Sequence, residues 1–305
     1  MYIYLPIAGN SISVLLMVGL GGIVGFLSGL FGVGGGFLMT PLLMMLGIPA
    51  TVAAASDSNQ IVAASASGCY AHLRARTIDM RMGLLMLVGG VLGGTLGVHL
   101  IKTLRQLGEA DFVITVVYVV MLGGIGFYMF FESLTALRGR RRVVSTVRRP
   151  SIYRRVLEGL PLRTTFPRSK VTISALMPLL LGTLVGILAA IMGVGGGFIM
   201  VPVMIYLLRI PMHVVVGTSL FQILFTCINV TLLQSYMNHT VDFVLALLLL
   251  VGSVIGAQIG VRVGRRLKAD QLKILMALIV LLVMVKMLLG MLLRPDVLVA
   301  YKGGH

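Results

Sequence analysis

The sequence predicts an all-α polytopic membrane protein with two inverted repeats, each of about five transmembrane segments and each containing a glycine-broken helix. Composition, a duplicated motif and the distribution of basic residues support this prediction. Hydrophobic residues make up 58% of the 305 residues and charged residues 11%, and the mean hydropathy is +1.05. Soluble domains contain about 25% charged residues. The composition therefore excludes a water-soluble enzyme and a disordered chain.

Long stretches of the chain carry no charge. Residues 1–56, 171–208 and 210–241 contain no Asp, Glu, Lys or Arg. A transmembrane helix needs roughly 20 apolar residues. Apolar segments of that length fall near 12–31, 50–72, 82–102, 112–134, 173–193, 212–236, 243–264 and 271–293. Two shorter segments, 37–47 and 198–208, each follow a glycine cluster, and the sequence leaves open whether they cross the membrane or re-enter it.

The two halves of the chain repeat one motif. Residues 25–41 read GFLSGLFGVGGGFLMTP and residues 186–202 read GILAAIMGVGGGFIMVP. The match continues downstream with small shifts in offset, pairing Pro49 with Pro211, Gln60 with Gln222, and Gly89, Gly93 and Gly97 with Gly252, Gly256 and Gly260. We therefore predict a first transmembrane repeat over 1–137, a basic linker over 138–170 and a second repeat over 171–305.

The basic residues indicate how the repeats are oriented. Eleven of the 25 basic residues lie within 138–170, which the positive-inside rule assigns to the cytoplasm. Loop 73–81 carries three arginines and its counterpart 237–242 carries none, whereas 102–111 carries two basic residues and 262–273 carries five. The loop that carries more basic residues in the first half is the one that carries fewer in the second half. We therefore predict inverted repeats with five crossings each and both termini outside. Parallel repeats of four spans with re-entrant hairpins are the alternative.

Two glycine clusters form the first part of the candidate site: Gly34, Gly35 and Gly36, and Gly195, Gly196 and Gly197. Each glycine costs about 1 kcal/mol in a helix interior relative to Ala, so three in succession interrupt a helix. The helix that restarts after them presents unpaired N–H groups and a positive dipole end. Two such ends near the bilayer midplane would bind an anion, although close helix packing also explains small residues.

Polar residues downstream of each cluster form the second part of the candidate site. They are Asn59 and Gln60 in the first half and Thr218, Ser219 and Gln222 in the second. Asp57 is the only charged residue within 1–73. A carboxylate beside an anion repels it when ionised and donates a hydrogen bond when protonated, so Asp57 is the candidate proton-coupling residue. The alternative is an acid at a helix end near water.

The other polar residues predict neither catalysis nor metal binding. Cys69 and Cys227 stand alone, and no nucleophile–base pair or cofactor motif is visible. We expect no cofactor, no metal and no nucleic acid, because the basic residues lie in the linker and at segment ends. Lys286 either extends to the interface or pairs with a buried carboxylate such as Asp57 or Glu132. The glycines spaced four apart indicate packing surfaces.

The motifs GFLSGLFGVGGGFLMTPLL, GVGGGFIMVPVM and VVVGTSLFQ, with the loop Thr240-Val241-Asp242, resemble the TauE/SafE family of sulfite and anion permeases. The resemblance implies a multi-pass plasma-membrane transporter that exports sulfite, sulfoacetate or a related organosulfonate with proton coupling. The second half carries the Thr218-Ser219 pair, whereas the first half carries Ser56-Asp57 in its place. A passive anion channel is the alternative function. Binding of anionic lipid by the 138–170 linker and homo-oligomer formation are also left open.

Overall fold

The computed structural model describes residues 2–7, 9–31, 36–137, 163–169, 171–204, 208, 210–264 and 269–293. Gly34, Gly35 and most of the predicted linker lie outside these residues. The helices are α1 (Val14–Phe31), α2 (Gly36–Met45), α3 (Ala50–Arg74), α4 (Met80–Gln106), α5 (Ala110–Leu137), α6 (Leu176–Met192), α7 (Gly197–Pro202), α8 (Met212–Leu233), α9 (Phe243–Gly264) and α10 (Ala269–Leu293). A π-helical turn, Gln234–Asn238, extends α8.

A short antiparallel β-hairpin precedes the first helix of each half. Strand β1 (Tyr2–Leu5) pairs with β2 (Asn10–Ser13), and β3 (Arg163–Phe166) pairs with β4 (Val171–Ser174). Each hairpin leads into a long helix, a glycine break, a short helix and three further helices. In the part of the chain that the structure describes, the two halves therefore have the same order of elements.

Glycines bring two pairs of helices into backbone contact. A Cβ at Gly21 of α1 would lie 2.6 Å from the Leu249 carbonyl oxygen of α9, and one at Gly25 would overlap the backbone of Ser253. Helix α4 meets α6 in the same way, where a Cβ at Gly93 would overlap the Thr183 carbonyl. Residue numbers rise together along both contacts, so the paired helices run parallel. Each pair joins the first helix of one half to the fourth helix of the other.

The equivalent helices of the two halves run antiparallel. In the contact between α3 and α8, Gly68 lies against Leu220, whereas His72, further along α3, lies against Gly217, which is earlier in α8. Helices α5 and α10 also cross in opposite directions.

Among the described residues, four helices are long and apolar enough to cross a membrane: Met80–Gln106, Ala110–Tyr128, Val214–Asn238 and Phe243–Gly260. Shorter apolar helices cover Val14–Leu27, Gly36–Met45, Leu176–Met192 and Ala277–Leu292. Helix α2 has 10 residues and extends about 15 Å, and the α-helical residues described in α7 number 6 and extend about 9 Å. Both are shorter than the hydrocarbon core, which is about 30 Å thick.

Helix α3 differs from the apolar span expected over 50–72. Its 25 residues are sufficient in number, but its Ala, Ser, Asp, Asn and Gln content keeps it below the hydropathy of a membrane-spanning helix. Every residue from 50 to 58 is buried. The first part of α3 therefore lies among other helices in the protein core, where polar side chains are tolerated when they find partners.

Candidate functional site

The helices that follow the two glycine clusters come together inside the bundle. Phe37 and Phe198 occupy equivalent positions directly after the breaks, and their rings stack with centroids 5.1 Å apart and an interplanar angle of 10°. Ile61 and Ile223, which are also equivalent, belong to one buried cluster with Cys227. The restarted helices α2 and α7 therefore begin against each other inside the bundle.

The second break requires glycine at three positions. Gly193 (φ 72°), Gly195 (φ 67°) and Gly196 (φ 73°) adopt left-handed backbone conformations, which other residues rarely adopt. Gly193 ends α6, and its N–H donates to the Ala189 carbonyl at 2.8 Å. Gly196 caps α7 and accepts from the Met200 N–H at 2.9 Å. The sequence GVGGG therefore encodes a tight turn between two helices at this depth.

The turn is enclosed in this conformation. All residues from 191 to 200 are buried. A Cβ at Gly195 would lie 2.8 Å from both Cys227 Sγ and Ile223 Cγ2, and 3.1 Å from Ile61 Cγ2. The structure thus shows the second glycine turn packed against apolar side chains and closed to solvent.

Asp57 lies beside the first break. Its side chain is 0% exposed, and its Oδ2 accepts a hydrogen bond from the Thr40 hydroxyl at 2.9 Å. A Cβ at Gly36 would lie 3.3 Å from the same oxygen. Asp57 Oδ1 is buried and has no hydrogen-bond partner among the described residues. The carboxyl group therefore contacts the start of α2 and retains one free oxygen.

Side chains of the first half also bind the end of α6. The Tyr118 hydroxyl donates to the Met192 carbonyl, and the Ser58 hydroxyl lies 3.3 Å from the Gly193 carbonyl. These carbonyls belong to the last turn of α6 and the residue that follows, where a helix lacks internal donors. The second break is therefore held by α3 and α5 of the other half.

Gln60 and Gln222 are equivalent buried residues with incomplete hydrogen bonding. The Oε1 atom of each has no partner among the described residues. Gln222 Nε2 donates to Thr226 Oγ1 at 3.0 Å and faces α4, because a Cβ at Gly90 would lie 2.7 Å from it. Asn59 is half-buried. Buried polar atoms without partners are uncommon in native structures, so these two oxygens are candidates for ligand or water contacts.

The structure places Thr218 and Ser219 in backbone interactions. Thr218 Oγ1 accepts from the Asp79 N–H at 3.1 Å, and the Ser219 hydroxyl donates to the Val216 carbonyl at 3.1 Å. The equivalent of Thr218 is Ser56, whose hydroxyl accepts from the Asp242 N–H at 3.2 Å. Ser56 and Thr218 therefore hold the starts of α9 and α4, whereas Asp57 contacts the start of α2.

Sequence reasoning did not identify Thr40 or Tyr118. A signal for Thr40 exists, because GFLMTP and GFIMVP differ by threonine against valine at this position. Tyr118 is one aromatic residue in an apolar helix and gives no such signal. Lys286 is exposed on α10, and the side chain of Glu132 lies outside the described part. Within the described residues, no group of three or more His, Cys, Asp and Glu could hold a metal ion.

Comparison with known proteins gives a consistent set of relatives. A probable membrane transporter protein of Xylella fastidiosa (strain 9a5c) is 29% identical over 248 residues, covering 79% of this chain and 81% of the relative. Probable membrane transporter protein YjnA of Bacillus subtilis (strain 168) is 27% identical over 274 residues, covering 89% and 97%. Probable membrane transporter protein YunE of the same strain is 25% identical over 252 residues, covering 79% and 85%. No solved structure matches the chain.

The sequence model of the family described as sulfite exporter TauE/SafE matches residues 17–287. This match includes both glycine breaks, Asp57, both buried glutamines and all but the end of the last helix. A mainly helical chain with several helices able to span a membrane is what such a protein requires. The chain belongs to the TauE/SafE family of membrane transporters.

Proposed function

We propose that this protein is a secondary transporter that exports a small sulfur-containing anion, such as sulfite, sulfoacetate or a similar organosulfonate, across the plasma membrane. Transport is coupled to protons and proceeds by alternating access. The observation that carries the proposal is the meeting of two broken helices at Phe37 and Phe198, with a buried carboxyl group against one of them. The family description supplies the class of substrate.

The anion binds to neutral donors around the breaks. Glycine N–H groups at the starts of α2 and α7 provide positive partial charge, and Asn59, Gln60, Ser219 and Gln222 provide polar side chains. Thr218 contributes once its contact with Asp79 opens. Neutral donors suit a transporter because they bind the anion weakly enough for it to be released. Broken helices near the midplane are the usual substrate sites of secondary transporters.

Asp57 couples the anion to a proton. An ionised Asp57 beside an anion would repel it by Coulomb interaction, whereas a protonated Asp57 can donate a hydrogen bond. Proton and anion therefore bind together. A doubly charged anion accompanied by one proton carries one net negative charge outwards, which an inside-negative membrane potential favours.

Alternating access follows from inverted repeats. The antiparallel directions of α3 and α8, and of α5 and α10, support the inverted arrangement. In such an arrangement one repeat rocks against the other around the substrate site. The 138–170 linker then lies in the cytoplasm and both termini lie outside. Tags at both termini that are accessible in intact cells would support this orientation, and a cytoplasmic N-terminus would reject it.

Flux of labelled sulfite in proteoliposomes tests the function. We expect saturable uptake that increases when pH falls on the side containing the sulfite and that responds to an imposed membrane potential. Liposomes containing Asp57→Asn protein serve as the matched control for coupling. Flux that does not saturate and ignores the pH gradient would indicate a passive anion channel.

A further inference from the structure

One face of α8 carries a row of neutral polar side chains. Gln222, Thr226 and Asn229 are four and three residues apart, so they share one face of the helix. Gln222 and Thr226 are 0% exposed, and Gln222 Nε2 donates to Thr226 Oγ1 at 3.0 Å. Asn229 lies about 10 Å further along the helix than Gln222. The row therefore starts at a residue of the proposed anion site and leads away from it.

Glycines of α4 lie against this row. A Cβ at Gly90 would overlap Thr226 Oγ1 and would lie 2.7 Å from Gln222 Nε2. A Cβ at Gly94 would lie 3.4 Å from Asn229 Nδ2. At these two positions α4 therefore presents only its backbone to the polar groups of α8. A small separation of the two helices would open a narrow passage between amide and hydroxyl groups on one side and peptide groups on the other.

The other glycine-lined contact of α4 is different. Against α6, a Cβ at Gly89 would overlap the Leu179 carbonyl oxygen, and one at Gly93 would overlap the Thr183 carbonyl. Those glycines meet backbone atoms, as close helix packing requires. Packing alone therefore does not explain why the contact with α8 contains buried polar side chains, which are costly inside a membrane.

The row also contains an unsatisfied group. Gln222 Oε1 is buried without a hydrogen-bond partner among the described residues, so it can accept from a water molecule or from an anion that carries a proton. The amide N–H groups of Gln222 and Asn229 can donate to the oxygens of an anion. Asn229 Nδ2 now donates to Thr95 Oγ1 at 3.3 Å, and this contact is free to exchange for a passing solute when the helices separate.

Beyond Asn229 the contact is closed by apolar residues. Val98, Ala190 and Val230 form one buried cluster. Further on, the guanidinium group of Arg105 near the end of α4 donates to the Asn238 carbonyl at the end of the π-helical turn. Residue numbers rise together along α4 and α8, so both helices end on the same side. In the orientation proposed above this side is outside, and an arginine there attracts anions.

The first half does not repeat this arrangement. Ala64 stands at the position equivalent to Thr226, and Ala257 of α9 stands at the position equivalent to Gly94. The polar row against a glycine-lined helix therefore belongs to the contact between α4 and α8 and not to its counterpart between α3 and α9. Such a difference suits a transporter whose outward and inward routes are not identical.

We propose that the contact between α4 and α8 is the outward route of the anion, which passes from Gln222 along Thr226 and Asn229 to Arg105. The inference rests on the anion transport and the orientation proposed above and names the residues that the anion meets after it leaves the site. The apolar cluster of Val98, Ala190 and Val230 closes this route in the present structure and separates when the route opens.

Cysteine labelling tests the route. Thr226→Cys and Asn229→Cys are made separately in a background with Cys69→Ala and Cys227→Ala and are placed in lipid nanodiscs, which leave both faces of the membrane open. The probe is sulfonatoethyl methanethiosulfonate, an anionic thiol reagent that is itself an organosulfonate. We expect both cysteines to react about tenfold faster than the control Leu232→Cys, because thiolates form in water and not in apolar surroundings. Leu232 is on the same helix but 65% exposed on its outer side.

Protection by a substrate separates a transport route from a leak of water. Sulfoacetate at several times its KM should slow labelling at both positions by about threefold or more, because occupied protein excludes the reagent. Sulfoacetate is used because sulfite itself cleaves the mixed disulfide that the reagent forms. Labelling at both positions that sulfoacetate leaves unchanged overturns the route.

Flux through matched variants separates a route from a structural contact. Thr226→Val removes the hydroxyl and should lower the kcat of sulfite flux in proteoliposomes by about tenfold, the scale of one hydrogen bond to a charged group. Thr226→Ser retains the hydroxyl and should recover most of that loss. Thr115→Val on α5 removes a hydroxyl that donates to the Asp111 carbonyl and should keep the parent flux. A Thr226→Val protein that transports as fast as Thr115→Val overturns the route.

The two proposals fail in different ways. If the parent protein carries sulfite while Thr226→Cys and Asn229→Cys stay as unreactive as Leu232→Cys, the inferred route is wrong and the proposed function stands. If both cysteines react but the parent protein carries neither sulfite nor sulfoacetate, the proposed substrate is wrong. The labelling then still supports a route for small anions between α4 and α8.

Discussion

Asp79 accepts two hydrogen bonds from Ser169, one from its backbone N–H at 3.0 Å and one from its hydroxyl at 2.8 Å. The other carboxylate oxygen accepts from the Met82 N–H and caps α4. Asp242 repeats this arrangement in the second half, capping α9 at Leu245 and accepting from the Ile7 N–H at 3.3 Å. Each aspartate therefore ties the hairpin of the opposite half to the start of a helix.

Asp79→Ala should destabilise the protein strongly. The variant removes a helix cap and the acceptor of both Ser169 bonds, and hydrogen bonds to charged groups contribute about 1.5–3 kcal/mol each. We expect a lower Tm in detergent, measured by thermal unfolding. Asp79→Asn retains an acceptor and a good cap residue, so its Tm should fall less. A variant Asp79→Ala that melts with the parent protein would show that the hairpin contact is not structural.

Gly196→Ala should disrupt the second break. The residue has φ of 73°, and its Cβ would overlap Val185. A non-glycine residue in this conformation costs about 1–3 kcal/mol, and the overlap adds to that. We expect a lower Tm and loss of sulfite flux. The matched control is Gly290→Ala in α10, where a Cβ meets nothing within 4 Å; there the Tm should stay the same or rise, since Ala favours helix by about 1 kcal/mol.

Asp57→Asn should uncouple transport from pH. The amide has nearly the same shape, and its oxygen can still accept from Thr40, but it does not titrate. We expect sulfite flux to persist with its pH dependence abolished, measured by uptake across a series of pH gradients. Asp111→Asn, which alters the acceptor for the Thr51 N–H at the start of α3, should keep the parent pH profile. An unchanged profile in Asp57→Asn would remove Asp57 from the coupling mechanism.

Gln60→Leu should weaken substrate binding without weakening the fold. Gln60 is buried with Oε1 unpartnered among the described residues, so an apolar side chain of similar size removes an unsatisfied group. We expect the Tm to stay the same or rise, and the KM for sulfite to increase by about tenfold, the equivalent of one hydrogen bond. An unchanged KM would exclude Gln60 from the binding site.

The sequence predicted which elements build the site better than it predicted the contacts between them. The repeated GVGGGF motif predicted two broken helices, and the equivalent residues Phe37 and Phe198 lie in contact. Asp57 was identified because it stands alone in a long uncharged stretch. Each of these features can be recognised from the composition and spacing of residues within a single segment of the chain.

The contacts that organise the site join segments far apart in the chain. Ser169 binds Asp79 across 90 residues, and Ser56 binds the Asp242 N–H across 186. Such pairs leave no local periodicity, so the role of Thr218 as a partner of Asp79 was not visible. The apolar span expected over 50–72 is wrong for a local reason, because the Ser, Asp, Asn and Gln content of α3 keeps its hydropathy below that of a membrane-spanning helix.

The exchange of partners between α1 and α9, and between α4 and α6, has a consequence for synthesis. The ribosome delivers Gly89 and Gly93 to the bilayer before the segment containing Leu179 and Thr183 exists. Until that segment is inserted, the glycine-lined face of α4 must be covered by lipid acyl chains or by a chaperone. The packing of α4 against α6 is therefore completed only after the second half of the chain has been synthesised and inserted.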